Sequence, residues 1–242
     1  MDTVLITGGS GKIASYFIKN CHKDFQIRAV DVRTDSVHFP KSVEMIEADL
    51  ENYNACIKVC QGVHTIVHLA GIVDPFSESD KILDVNITTT RNLFKAAVDC
   101  NCKKLIFASS AQVIESYPED VQATTGILVR PKNVYGVSKC FGEALGAYYA
   151  YNKHINVICL RIGAYEFPED HTEMSKRDLS AFLHPDDFNH LLRLCIAENN
   201  LKYEVFNAIS DNRYKRLDIT ETIAKLGYAP KADAFKLFRS EV

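Results

Sequence analysis

Short apolar runs alternate with helix-period stretches along most of this chain, and few folds accommodate that alternation. Residues 4–6, 27–30, 43–46, 65–69, 105–108 and 157–160 read as strands. Between them, residues 13–20, 52–60, 82–99 and 136–151 carry amphipathic helical spacing. Strand, helix and strand repeated in this way build a parallel sheet covered on both faces. The spacing therefore predicts a doubly wound, Rossmann-like α/β fold.

Beyond residue 161 the regularity weakens. Residues 166–176 are polar and charged and include Pro168, so they read as a loop. Helical patterns return at 186–197 and 217–226, with a strand at 203–208. This tail is short for a second full domain and reads as a cap on the sheet's carboxyl edge, where open α/β sheets bind ligands. Lys and Arg number 28 against 31 Asp and Glu, a net charge of −3, which gives no general attraction for a nucleic-acid backbone or an anionic membrane. An acid at position 2 and a three-residue apolar run before Thr7 predict no signal peptide, and no run approaches the roughly 18 apolar residues of a membrane span. The eight cysteines then read as reduced thiols in a cytoplasmic protein. His64 and His68 would stand about 13 Å apart on a strand, too far for one ion, so no metal site is expected.

The first strand runs directly into Thr7-Gly8-Gly9-Ser10-Gly11-Lys12-Ile13-Ala14. Here Gly8 permits the tight turn, Gly11 lets the backbone approach a pyrophosphate, and Ala14 lets the helix pack on the strand. The N–H groups opening that helix, at Lys12 and Ile13, face the phosphates. Asp31 closes the second strand about 20 residues beyond Gly8, the placement of a carboxylate that binds ribose hydroxyls and repels a 2′-phosphate. NAD is therefore favoured over NADP, although Arg33 lies two residues on. Residues 1–162 are expected to form the NAD-binding domain and residues 163–242 a small substrate-binding region packed on it.

Ser109 and Ser110 end a strand, and Tyr135-Gly136-Val137-Ser138-Lys139 opens a helix. Four residues apart, Tyr135 and Lys139 share a helical face, so the ammonium can stabilise a phenolate. Lowering a tyrosine from about 10 to about 7 takes roughly 4 kcal/mol, which the lysine and an oxidised nicotinamide would supply together. Tyr135 is then the base and Ser110 the group that holds the substrate oxygen.

With these pieces in order, the chain resembles extended short-chain dehydrogenases/reductases of the NAD-dependent epimerase/dehydratase type. Asp49-Leu50, His68-Leu69-Ala70-Gly71, Asn86 and Phe107-Ala108-Ser109-Ser110 carry the resemblance further. It implies that Asp49 and Leu50 flank the adenine, that Leu69, Ala70, Gly71 and Ile162 line the cofactor, and that Asn86 anchors a water near the lysine. It also implies catalysis by Ser110, Tyr135 and Lys139, with the serine-to-tyrosine spacing selecting Ser110 over Ser109. Pairing into a homo-oligomer through residues 84–100 and 136–151 is the arrangement the resemblance implies.

Within that superfamily, Tyr135 to Glu143, Leu160-Arg161-Ile162-Gly163 and Pro185-Asp186-Asp187-Phe188 are similar to uronate dehydrogenases, which oxidise C1 of a hexuronic acid to a lactone with NAD. Val73, Ser110, Ala111, Gln112, Tyr135 and Arg177 are the substrate-contact positions this implies. Two departures stand out: Ala111-Gln112 replaces an Asn-His pair, and Asp74 is unwelcome beside a carboxylate. Arg177 is the nearest candidate for the arginine that holds that carboxylate in these enzymes. Rival readings are a nucleotide-sugar epimerase or dehydratase, another NAD(P)-dependent carbonyl reductase, and an NAD(P)-sensing regulator without catalysis. The first would want an acidic pair after the serine or a larger tail, and the last commonly loses the tyrosine or lysine that this chain keeps.

Overall fold

The computed structural model describes residues 2–74 and 80–238. Seven strands form one parallel sheet: β1 (Thr3–Thr7), β2 (Gln26–Asp31), β3 (Glu44–Glu47), β4 (Thr65–His68), β5 (Lys104–Ser110), β6 (Asn156–Ile162) and, late in the chain, β9 (Tyr203–Ala208). Their order is β3-β2-β1-β4-β5-β6-β9, so the direction of winding reverses between β1 and β4. Ligands of open α/β sheets bind at the carboxyl ends of the strands flanking such a reversal. Crossovers are made by α1 (Lys12–Cys21), α2 (Tyr53–Cys60), α3 (Asp80–Asp99), α4 (Val134–Lys153) and α6 (Pro185–Ala197).

The strand sequences alternate between two buried layers. Val4 and Ile6 of β1 join one core with Phe17 and Ile18 of α1 and Phe188, Leu191 and Leu192 of α6. Leu5 faces the other, with Val59 of α2 and Leu93 and Phe94 of α3. Burial on both faces explains the near-continuous apolar runs of the central strands β1, β4, β5 and β6. Helix α4 comes unusually close to the sheet at Gly142, where an added Cβ would fall 2.1 Å from the Phe107 ring.

The chain after residue 162 does not form a separate layer. Strand β9 pairs with β6 along its whole length, and the Gly163 N–H donates to Ala208 O, so the expected boundary at 162/163 falls within one sheet. The tail's cap consists of the short parallel pair β7 (Ala164–Tyr165) and β8 (Phe182–Leu183), α5 (Lys176–Ala181), α7 (Thr220–Leu226) and α8 (Ala234–Leu237). The expected loop at 166–176 holds one 3-10 turn, Pro168–Asp170, and ends as α5 begins.

Candidate active site

The glycine turn is held from both ends of the reversal point. The Gly9 N–H donates to Val30 O and the Gly11 N–H to Gly8 O, which folds the loop over the end of β1. Gly8 has φ +70°, and a Cβ there would meet Ala70 N at 2.9 Å, so both conformation and space require glycine. Thr7 locks the neighbouring loop: its hydroxyl accepts the N–H groups of Leu69 and Ala70 at 3.1 and 3.0 Å. That hydroxyl then donates to His68 Nδ1 at 2.8 Å, leaving Nε2–H to donate to Thr90 at 3.1 Å. His68 is fully buried, and burial followed by the nearby Lys139 ammonium pushes its pKa down to about 3. It is thus a neutral strut tying β1, β4 and α3 together, a role its position in the chain did not announce.

A cavity of about 840 Å³ opens along these loops. Every residue expected to meet the cofactor lines it except Asn86. Asp31 sits at one end, accepting the Ser10 N–H at 2.9 Å. Asp49 shapes the turn beside it by accepting the Glu51 N–H at 2.9 Å. Lys12 and Glu166 both line the cavity, and the ammonium binds the carboxylate at 2.5 Å.

Asn86, expected among the cofactor contacts, does not line the cavity. It is buried behind the wall, where Oδ1 accepts the Ile72 N–H at 2.8 Å and Nδ2 donates to Ile72 O and Ser138 Oγ, each at 3.1 Å. Ser138 in turn donates to Tyr135 O at 2.7 Å. Asn86 therefore positions the loop after β4 against the start of α4.

At the cavity's inner wall stand Ser110, Tyr135 and Lys139. The two serines ending β5 point to opposite sides, as strand neighbours must. Ser109 donates to Glu143 Oε1 at 2.6 Å, within a buried pair in which Arg161 binds both Glu143 oxygens at 2.8 and 2.9 Å. Ser110 faces the cavity and accepts the Gln112 N–H at 3.2 Å, which leaves its proton free to donate. Gln112 Oε1 accepts from Asn133 Nδ2 at 2.9 Å, and Asn133 Oδ1 caps α4 at Gly136 N–H at 2.7 Å. This chain of bonds fixes the turn of helix that carries Tyr135.

Lys139 Nζ lies 5.4 Å from the Tyr135 ring centroid and 5.1 Å from that of Phe107. Burial lowers its pKa to about 8. Tyr135 stands above its ordinary value: burial raises it to about 12, while the Ser110 hydroxyl pulls it down only in part. The ammonium over the ring does not offset the burial that raises this phenol.

Val73, Gln112 and Arg177 also line the cavity. Ala111 does not; its methyl is packed with Val113, Ile114 and Leu217 in a separate apolar cluster. Arg177 is held by Glu115, a residue that no motif or spacing had marked. Nε and Nη2 donate to its two oxygens at 2.9 and 2.6 Å, and Nη1 donates to Asp178 at 2.8 Å.

Comparison with known proteins agrees with this geometry. Residues 4–186 match the NAD dependent epimerase/dehydratase family. The NAD-dependent glucose-6-phosphate dehydrogenase of Haloferax volcanii is 34% identical, covering 94% of this chain and 92% of that protein. The uronate dehydrogenase of Pseudomonas syringae pv. tomato is 30% identical over 99% of this chain and 85% of its own length. Among solved structures, a mutant uronate dehydrogenase from Agrobacterium tumefaciens complexed with NAD superposes with a TM-score of 0.88, at 29% identity and with 99% and 88% of the two chains covered. This chain belongs to the NAD dependent epimerase/dehydratase family.

Proposed function

We propose that this chain is an NAD-dependent sugar dehydrogenase that oxidises C1 of an aldose or its uronic acid to the lactone. The observation that carries this reading is the sharing of one cavity by the glycine turn, the Ser110 hydroxyl, the Tyr135 phenol and the Lys139 ammonium. The residues present fit the dinucleotide. Gly8 leaves room where a side chain would strike Ala70, and the Lys139 ammonium finds no hydrogen-bond acceptor among the described residues, as a group that binds ribose hydroxyls would. Asp31 stands where the adenosine ribose is expected, and the relatives include NAD-dependent enzymes.

NAD, held by the glycine turn and Asp31, would supply the acceptor for the hydride lost from C1 as the C1–oxygen single bond becomes a carbonyl. Ser110, whose hydroxyl stands beside the Tyr135 phenol, orients the C1 oxygen. Tyr135 takes the hydroxyl proton, and Lys139 favours the phenolate electrostatically. Burial holds the Tyr135 phenol up near 12, and an oxidised nicotinamide would add positive charge beside that of Lys139. The test is NADH absorbance with purified protein, NAD and a panel of uronic acids and neutral aldoses. Interconversion of nucleotide sugars without net NADH, or silence on the whole panel, defeats the reading.

Self-association through α3 and α4 belongs to the same reading. Val137, Tyr148 and Tyr151 of α4 are 45%, 48% and 59% exposed, an amount of apolar surface that a second copy would cover. Light scattering on the eluted protein tests it, with a monomer mass as the contrary result. A cytoplasmic location is supported by eight free cysteines, the state a reducing compartment maintains. No helix of the described residues is long and apolar enough to cross a membrane.

A further inference from the structure

We infer that Glu115 sets the charge of the substrate, making this cavity selective for a neutral sugar over an anionic one. The inference rests on the sugar dehydrogenase reading and goes further by naming the substrate class. Arg177 is the guanidinium that would hold a substrate carboxylate, yet Glu115 occupies it with the two-pronged geometry such a carboxylate would use. The side chains of Arg177 and Glu115 are only 18% and 14% exposed, so solvent screens the pair weakly. Asp178 adds a second carboxylate to the same guanidinium at 2.8 Å. Two acids on one cation leave this wall with net negative charge.

Apart from Lys139, which stands by Tyr135, the other lining residues do not offset it. Glu173 contributes another carboxylate to the lining. Lys12, another lining ammonium, is bound by Glu166 and approached by Asp170 at 3.8 Å, and His171 also hydrogen-bonds Glu166, at 3.1 Å. An anionic sugar reaching Arg177 would have to displace Glu115 and leave a mostly buried carboxylate unpaired. A neutral sugar meets no such obstacle. Its hydroxyls accept from the guanidinium N–H groups that the two acids leave over and donate to the acids themselves. Glu115 closes the short turn that begins at Ser110, so one segment carries both the catalytic hydroxyl and the charge selector.

The experiment compares kcat/KM for D-glucose and D-galactose with that for glucuronate, galacturonate and glucose 6-phosphate, in the wild type and in Glu115→Gln. The wild type is expected to prefer the neutral sugars. In the variant, kcat/KM for the uronates relative to the neutral sugars should rise by at least about tenfold, mainly through KM, while KM for NAD serves as control. A wild-type preference for an anionic sugar overturns the inference, as does an unchanged ratio in Glu115→Gln. If no sugar is oxidised, the dehydrogenase reading fails by itself. Calorimetric titration of the NAD-loaded proteins with glucuronate still decides the charge question: tighter binding by Glu115→Gln than by wild type supports the inference, and equal binding overturns it. Should Glu115→Gln not fold, the preference of the wild type across the panel decides alone.

Discussion

The Lys139 ammonium stands 5.4 Å from the centre of the Tyr135 ring, one helical turn away, and burial has moved the two groups in opposite directions. Tyr135 is raised to about 12 and Lys139 is lowered to about 8, so burial disfavours the charged form of each. The phenol and the ammonium are kept out of water together, at a cost to stability.

For Tyr135→Phe we expect kcat to fall by about 10²-fold to 10⁴-fold, the usual worth of a positioned base. NAD affinity should change little, since the ring stays and only its oxygen is lost. With the wild type at saturating NAD, sugar oxidation should rise with pH toward an apparent pKa well below 12, and the variant should lose that limb. A pH profile of kcat/KM checks both statements. A loss of tenfold or less would remove Tyr135 from the role of base.

Lys139→Met should abolish most turnover yet stabilise the fold. Lowering the lysine from 10.5 to about 8 corresponds to roughly 3 kcal/mol at about 1.4 kcal/mol per tenfold change in proton affinity, an upper bound for what relief of the buried charge returns at neutral pH. The sign follows from proton counts. Between about 8 and 10.5 the unfolded chain keeps a proton that the folded chain has released, so wild-type stability rises with pH across that window. Below 8 the penalty is fully present. Urea unfolding at pH 7 and pH 10 should show the variant more stable at pH 7 and the gap closing at pH 10; a less stable variant at pH 7 contradicts the argument.

Ser109 and Ser110 should separate cleanly by substitution. Ser110→Ala removes the hydroxyl in the cavity and should cut kcat by at least about tenfold without much change in stability. Ser109→Ala removes a 2.6 Å bond to Glu143, which keeps both of its bonds to Arg161, so about 1–3 kcal/mol of stability should be lost and turnover preserved. Steady-state kinetics alongside denaturant unfolding distinguishes the two. The reverse pattern would mean that β5 is out of register at its end.

What the sequence showed and what it concealed divide by range. The glycine turn, Asp31 and the Tyr135–Lys139 pair were legible because each is fixed by a few neighbouring residues, through a strand-to-helix turn or one turn of helix. Strand β9 was visible as an apolar run, but its place beside β6 depends on a hydrogen-bond ladder between distant segments. Glu115 and Arg177 are 62 residues apart, and nothing in either local pattern marks them as partners. Asn86 and Ala111 were assigned to the cavity by position in a motif; side-chain direction, set by packing against Ser138 and Leu217, takes both away from it. The raised Tyr135 is of the same kind, since burial is a property of the assembled fold.

Asp31 should govern the choice between NAD and NADP. Its carboxylate closes β2 at the cavity's end and accepts the Ser10 N–H of the glycine turn at 2.9 Å, with the Arg33 N–H at 3.4 Å. A 2′-phosphate placed there would face a like charge, whereas ribose hydroxyls would donate to it. Asp31→Asn keeps an oxygen for Ser10, so the turn should survive while the charge goes. Losing charge-assisted bonds of about 1.5–3 kcal/mol should lower kcat/KM for NAD by roughly 10-fold to 100-fold. For NADP it should rise, because repulsion is relieved and the exposed Arg33 becomes an unopposed partner for the phosphate. The ratio of the two kcat/KM values, measured with the same sugar, is the readout. An unchanged ratio would place the ribose elsewhere than at the end of β2.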